Sequence, residues 1–404
     1  MNSGFELLDY IIFATYAFVI LTIGLWVSRD KKGKEKSAED YFLAGKSLPW
    51  WAIGASLIAA NISAEQVIGM TGSGFVVGLA IASYEWMAAI TLIIVGKYFL
   101  PIFIEKKIYT IPEFVEKRFS TELKTILAVF WIGLYIFVNL ASVLYLGGLA
   151  LETILDVDMK YAVLGLGLFA AAYSLYGGLS AVAWTDIIQV FFLILGGIVT
   201  TYLALDTVSG GQGAIEGFKT IYNAVPEKFD MILDKSNPEY NNLPGLGVLI
   251  GGMWVANIYY WGFNQYIIQR TLAAKSLKES QKGILFAAGL KMIMPLIIVI
   301  PGIAAYVIVN DPQILSSLGD SALANIPGEG ANDKSYPWLM QFLPTGLKGI
   351  AVAALAAAIV SSLASMLNST GTIFTMDIYR QTFNKNASEK QMVTTGRISA
   401  AIAL

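Results

Sequence analysis

The sequence has no cysteine and no histidine among its 404 residues, and only 14% of them are charged. Without cysteine there are no disulfides and no thiol chemistry. Without histidine the chain lacks the commonest metal ligand and general base, which weakens most enzyme readings. An ordinary soluble domain is about a quarter charged, so this charge content, beside 56% hydrophobic residues, excludes one. A formal net charge of −2 offers no basic field to a nucleic acid. What the chain has instead is a series of apolar runs of about 20 residues, long enough to cross a ~30 Å hydrocarbon core. The expected class is an all-α polytopic membrane protein.

The runs place nine spans at 10–28, 50–74, 79–104, 125–151, 161–177, 186–208, 246–268, 284–309 and 346–373. Glu6 and Asp9 precede the first, with no basic segment ahead of it, so it reads as a retained helix rather than a cleaved signal. Lys and Arg gather on one side, in clusters at 29–46 (with Lys31, Lys32 and Lys34), at 106–124, at 270–282 beginning with Arg270, and at 380–397. That side is expected to be cytoplasmic, which puts the N-terminus outside in a plasma (inner) membrane. The two long outer connections, 209–245 and 310–345, read as hydrated loops. A further apolar run at 398–404 stops well short of a span, so the expectation is a fragment cut inside a tenth span.

Transporters often contain inverted repeats whose first helices are unwound near the midplane. The second span, WAIGASLIAANISAEQVIGMTGSG, carries Asn61, Ser63, Glu65 and Gln66 in mid-run, and the seventh, GGMWVANIYYWGFNQ, carries Asn257 and Gly262. Both contain Ala-Asn-Ile and they stand five spans apart, an odd number, so the halves should be inverted. The expected organisation is one transporter domain over 1–404, with an extra helix at 10–28, a first repeat at 50–208 and an incomplete second repeat at 246–404.

Ionisable groups inside spans are expensive and therefore functional candidates. Three stand out: Glu65, Glu85 and Lys291. A neutral, hydroxyl-rich solute needs donors, acceptors and an aromatic face. Asn61, Gln66, Glu85, Asn139, Asn257 and Lys291 supply the polar set, with Met70, Tyr84, Tyr260 and Trp261 as walls. Plainer readings stand beside these. Glu85 and Lys291 can form a buried ion pair that fixes helices, Asn61 and Asn257 can bridge helices, and aromatics in spans commonly serve packing or the interface belt. Glu65 reads as a structural residue. Asp186 reads as an acid at the start of the sixth span, where it would stabilise a helix N-terminus.

The segments YFLAGKSLPWWAIGASLIAANISAEQ (41–66), ASYEW (82–86), YTIPEFVEKRF (109–119), YGGLSAVAWTDIIQ (176–189), WVANIYYWGFNQYIIQR (254–270) and ALAAAIVSSLASMLNSTGTIFTMDIYR (354–380) resemble the sodium/solute symporter family, most closely its bacterial sodium/galactose (sodium/glucose-type) branch. The resemblance covers essentially the whole chain. It implies a core of five plus five inverted-repeat helices behind one extra N-terminal helix, and Na⁺-driven uptake of a small solute, in the closest branch a sugar such as galactose or glucose. It maps a Na⁺ site onto the carbonyls of Ala59, Ile62 and Ala358 and the hydroxyls of Ser361 and Ser362, and puts Asp186 on the sodium exit path. Hard-cation chemistry agrees with oxygen ligands, although small residues such as AAAIVSSLAS also let helices pack closely. The resemblance places Asn61, Gln66, Glu85, Asn257 and Lys291 in the sugar site and makes Tyr260 an inner gate. This chain departs at Ala88, where the family branch has a serine. Alternatives left open are Na⁺ symport of proline, pantothenate or another small solute, and a transporter-like membrane sensor; a membrane enzyme is disfavoured by the missing catalytic motifs.

Overall fold

In the computed structural model, residues 5–29, 35–63, 65–243, 245–319, 323, 326–328 and 330–404 are described. Lys31, Lys32 and Lys34 lie outside the described residues. Apart from one backbone bridge between Leu48 and Ala274, the regular structure among the described residues is helical. Eight helices are long and apolar enough to cross a membrane, nine when one bent pair counts as a single span. The nine spans expected from the sequence correspond to these.

The main helices are α1 (Leu7–Val27), α2 (Trp50–Asn61), α3 (Glu65–Val76), α4 (Leu79–Glu105), α5 (Thr121–Leu155), α6 (Met159–Gly177), α7 (Leu179–Val208), α8 (Met253–Phe263), α9 (Gln265–Leu272), α10 (Leu277–Asn310), α11 (Leu347–Phe383) and α12 (Glu389–Ala403). Buried almost throughout, α11 forms the centre of the bundle, with α7 its most extensive neighbour. Small side chains permit that closeness. A Cβ on Gly196 of α7 would sit 2.5 Å from the Ala354 methyl, and one on Gly147 of α5 would meet Ile359 at 3.0 Å. The ends of α1 and α11 are tied together by Asp9, whose Oδ1 accepts the N–H groups of Gly346 and Gly349, both at 2.7 Å. A carboxylate at two helix N-termini satisfies orphan donors and opposes both dipoles.

Two helices are interrupted where polar residues enter an apolar run. The α2 and α3 segments meet at an angle of 63°, and Ile62 has left helical geometry at φ −82°, ψ 92°. The expected span at 246–268 is not interrupted at Asn257 or Gly262, which lie within a continuous helix, but stops at Asn264, which is extended (φ −83°, ψ 120°). Its side chain accepts a 2.7 Å hydrogen bond from the Tyr135 hydroxyl, which holds the break. In α10 the internal Pro295 and Pro301 each remove a helical N–H. The Ile297 carbonyl, four residues before Pro301, accepts instead from the Thr201 hydroxyl at 3.4 Å.

Several expectations need correction. The sixth span starts at Leu179, not 186, because Gly178 takes a left-handed φ of 65° with no room for a Cβ: one would lie 2.3 Å from the Tyr41 carbonyl. Asp186 therefore stands two turns inside α7, beyond the reach of an N-terminal dipole effect, which fades within the first turn. The connection at 209–245 is not purely hydrated loop: Ala214–Ala224 is a helix that buries Gly217 and Ile221. Within 310–345, all of Ser335–Met340 is buried because its Tyr-Pro-Trp-Leu-Met run is apolar. Arg270, counted from sequence with a basic loop, has no exposed surface. The last helix starts at Glu389, nine residues before the apolar run at 398, under a capping box of Ser388 and Gln391.

Candidate functional site

The break between α2 and α3 opens onto a cavity of about 620 Å³. Asn61, Ser63, Glu65, Gln66 and Met70 come from the broken helix, Tyr84, Glu85 and Ala88 from α4, Asn139 from α5, and Asn257, Tyr260 and Trp261 from α8. Every substrate and wall candidate named from the sequence lines it except Lys291. That lysine is fully buried on α10, behind Asn61 and Glu85, donates to Asn61 Oδ1 and Glu85 Oε2, and lies 5.2 Å from the Trp261 ring centre. Its placement makes it a partner to two lining residues rather than part of the lining.

The polar groups form one chain of hydrogen bonds. Gln66 Nε2 donates to Glu85 Oε1 at 2.5 Å, Asn61 Nδ2 donates to the Tyr260 hydroxyl at 3.0 Å, and the Tyr260 and Tyr266 hydroxyls are 2.8 Å apart. Two lining groups are less committed. Asn257 binds the Met253 carbonyl of its own helix at 3.1 Å through Nδ2, and Asn139 Oδ1 is buried with no hydrogen-bond partner. An orphaned buried acceptor is costly unless a ligand or water meets it. Ala88 adds an apolar spot to a wall otherwise rich in donors and acceptors.

Eight lining residues have no counterpart among the candidates read from the sequence, and four of them bring a phenol, an amide or a carboxyl group. Tyr266 reaches the cavity because the chain turns at Asn264, and Tyr259 accompanies it from α8; their Tyr-rich segment was the available signal. Asn332 and Asp333 come from a connection read as loop, where no pattern marked them. Asp333 is half-buried, and that burial pushes its carboxyl above the usual range.

On the other side of the α2/α3 break, α11 approaches. Ala59, Ile62, Ala358, Ser361 and Ser362 are all at most 1% exposed. The Ser362 hydroxyl donates to the Ala60 carbonyl at 3.1 Å, joining α11 to the end of α2. Ser63 N–H turns to the Asn61 carbonyl at 3.1 Å, so the helical bond that Ala59 would accept from it is not made. Carbonyls and hydroxyls without full helical partners are the donor set a hard monovalent cation needs. Among the described residues no cluster of acids suited to a multivalent metal occurs.

Deeper along α11 lies a polar knot. Ser361 donates to Asp186 Oδ1 at 2.5 Å and Ser56 to Asp186 Oδ2 at 2.5 Å. Arg270 approaches Asp186 at 3.4 Å, donates to the Ser56 hydroxyl at 2.7 Å and binds Ser365. Arg270 is the functional candidate the sequence concealed. Its position at the end of the WVANIYYWGFNQYIIQR segment was the one hint. Asp186 is thus linked to Ser361 directly rather than capping a helix.

This arrangement, a broken helix facing a central helix with a polar cavity beside the break, defines a secondary transporter core. Residues 41–404 match the family model described as the sodium:solute symporter family, and the chain belongs to that family of transporters. It is 69% identical over its whole length to the sodium/glucose cotransporter of Vibrio parahaemolyticus, covering 74% of that protein. It is 34% identical to human sodium/myo-inositol cotransporter 2, with 98% of this chain matched to 60% of that one. The chain therefore spans about three quarters of the first relative and three fifths of the second. A solved structure of a Na⁺-coupled sialic acid symporter, in a substrate-bound outward-open state, aligns with a TM-score of 0.86 over 98% of this chain and 80% of that one at 24% identity. That likeness establishes the shared fold.

Proposed function

We propose that this chain forms the body of a secondary active transporter that couples inward Na⁺ movement to uptake of a neutral sugar, galactose or glucose first. The observation that carries this is the cavity at the α2/α3 break, where Asn61, Gln66, Glu85, Asn139 and Asn257 offer both donors and acceptors beside Tyr260 and Trp261. Glu85, held between Gln66 and Lys291, keeps an acceptor in the wall that would repel a carboxylate solute and attract hydroxyl donors. The 69% identical relative carries the name of a sodium/glucose cotransporter, which supports the sugar over proline or pantothenate. A transporter-like sensor shares the same cavity and is separated from a transporter by uptake.

In this reading Na⁺ is cargo and binds the carbonyls of Ala59, Ile62 and Ala358 with the hydroxyls of Ser361 and Ser362. It links α11 to the broken helix, so its arrival biases the shape of the sugar cavity on the same break. Coupling is then differential binding between outward-open and inward-open states. Tyr260, bonded to Asn61 and Tyr266, acts as the inner gate, with Met70 and Tyr84 as further walls. Asp186, one hydrogen bond from Ser361, receives the ion on its way out. The basic clusters put the N-terminus outside. The halves 50–208 and 246–404 act as inverted repeats behind α1. The driving force suffices: one charge crossing ~100 mV gains about 2.3 kcal/mol, and a tenfold gradient about 1.4 kcal/mol more.

The test is radiolabelled galactose uptake into proteoliposomes by the full-length protein, with an inward Na⁺ gradient compared with K⁺. Uptake that requires Na⁺, with a half-saturating Na⁺ concentration at least tenfold higher in Ser361→Ala than in the parent, supports the reading. Na⁺-driven uptake of a different solute would leave the ion site and sink the sugar assignment.

A further inference from the structure

At the basic end of the bundle a second recess, of about 620 Å³, opens where α4 ends, Ile111–Arg118 turns back, α5 begins and α11 ends. Its acids are engaged within the protein. Glu113 pairs with Lys117 at 2.8 Å and accepts the Tyr109 N–H at 2.8 Å. Glu116 takes Lys124 at 2.8 Å and the Gln381 amide at 3.1 Å. Asp377, 1% exposed, accepts from Thr110 at 2.8 Å and meets Lys124 at 3.3 Å, both through Oδ1.

The cations are not balanced in the same way. Lys107, Arg380 and Lys385 also line the recess, and among the described residues no carboxylate lies within the 4.0 Å ion-pair distance of any of them. Lys107 closes α4 with a left-handed φ of 52°, which lets the Ile108 N–H reach the Phe103 carbonyl at 3.0 Å in an ordinary helix-ending turn, while Lys117 Nζ takes the Lys106 carbonyl at 3.0 Å.

The recess is bounded by the ends of three candidate spans, which places it at the membrane boundary, and Phe119 and Phe383 beside it are 68% and 71% exposed. Three cations without ion-pair partners among the described residues, above acids of which Glu116 and Asp377 share the single Lys124, leave the recess with an excess of positive charge, and with apolar side chains flanking it they match a phosphate group with an apolar neighbour. We infer that Lys107, Arg380 and Lys385 bind a phosphate-bearing anion in this recess, supplied either by an anionic phospholipid headgroup or by soluble phosphate.

The full-length protein in detergent is titrated with phosphatidylglycerol, with phosphatidylcholine and with inorganic phosphate, and the midpoint of thermal unfolding is followed. The parent is compared with the triple variant Lys107→Gln/Arg380→Gln/Lys385→Gln and with a control, Lys275→Gln/Lys278→Gln, exposed basic residues away from the recess. The expected result is a rise with phosphatidylglycerol or phosphate, half-maximal at a concentration at least tenfold lower in the parent and the control than in the triple variant. A response to phosphatidylglycerol alone identifies a lipid headgroup as the source, and a response to phosphate a soluble anion. Equal responses in parent and triple variant, or an equal loss in the control, overturn the inference. A triple variant that does not fold is replaced by Arg380→Gln alone, for which at least a threefold rise in that concentration is expected and an unchanged one overturns it.

Discussion

Ser56 of α2 donates a 2.5 Å hydrogen bond to Oδ2 of Asp186 in α7, 130 residues further along the chain. The other carboxylate oxygen accepts from Ser361 at the same distance, so one acid ties three helices together next to Arg270. Asp186→Ala would leave the Arg270 guanidinium buried without its counter-charge, a loss of about 3–5 kcal/mol. A drop in the unfolding midpoint of the detergent-solubilised protein checks this. A midpoint within a degree of the parent would mean that Asp186 contributes no net stability.

Glu85 and Lys291 should fail separately. Lys291→Met strands Glu85 in the cavity wall, and Glu85→Gln strands Lys291 on α10. Truncating one partner of a buried charged pair costs about 2–5 kcal/mol, so sugar affinity should fall about 30-fold or more in either variant. Equilibrium binding of labelled galactose in the presence of Na⁺ measures it directly. Retained affinity in Lys291→Met would show that the lysine only supports packing.

Asn139 provides a milder and more selective probe. Its Oδ1 has no partner within the protein, so Asn139→Leu should leave the unfolding midpoint unchanged or raised. The same change removes about one hydrogen bond's worth of contact with a bound solute, roughly 1 kcal/mol, or about a fivefold rise in half-saturating sugar. A destabilised variant with normal uptake would contradict this assignment.

Glu116 gives a pH dependence with a definite sign. Burial on its own would raise its carboxyl, but the hydrogen bonds from Lys124 and Gln381 and the Lys124 charge outweigh that and hold it below the usual carboxylate range. A carboxylate lowered by folding stabilises the native state above its unfolded pKa, near 4.3, and that contribution disappears as pH falls through the lower folded value. The unfolding midpoint of the parent should therefore fall more steeply below about pH 4.3 than that of Glu116→Gln. Parallel pH curves for the two proteins would refute the coupling.

Much of this architecture is legible in the sequence because membrane spans need long apolar runs, and because Asn61, Glu65 and Gln66 inside such a run announce a break. The cavity residues were legible for the same reason: polar side chains in hydrocarbon require a purpose. Arg270 was concealed by its neighbours, since Lys275, Lys278 and Lys282 make the segment look like one exposed basic loop. Asp186 was misplaced because the start of α7 depends on Gly178 meeting the Tyr41 carbonyl, a tertiary fact without a local signature. Asn332 and Asp333 reach the cavity through the packing of a connection, which no periodicity records.

The 63° bend between α2 and α3 divides what would be one macrodipole into two shorter ones whose opposite ends face the same gap. The C-terminal carbonyls of α2 present about half a negative charge to a cation, and the first N–H groups of α3 present about half a positive charge to an anion. Glu65 stands in that first turn of α3, so the place where a solute carboxylate would profit most from the helix field is held by a carboxylate belonging to the protein. In the proposed function this field would favour a cation together with an uncharged partner at the gap and disfavour an acidic solute.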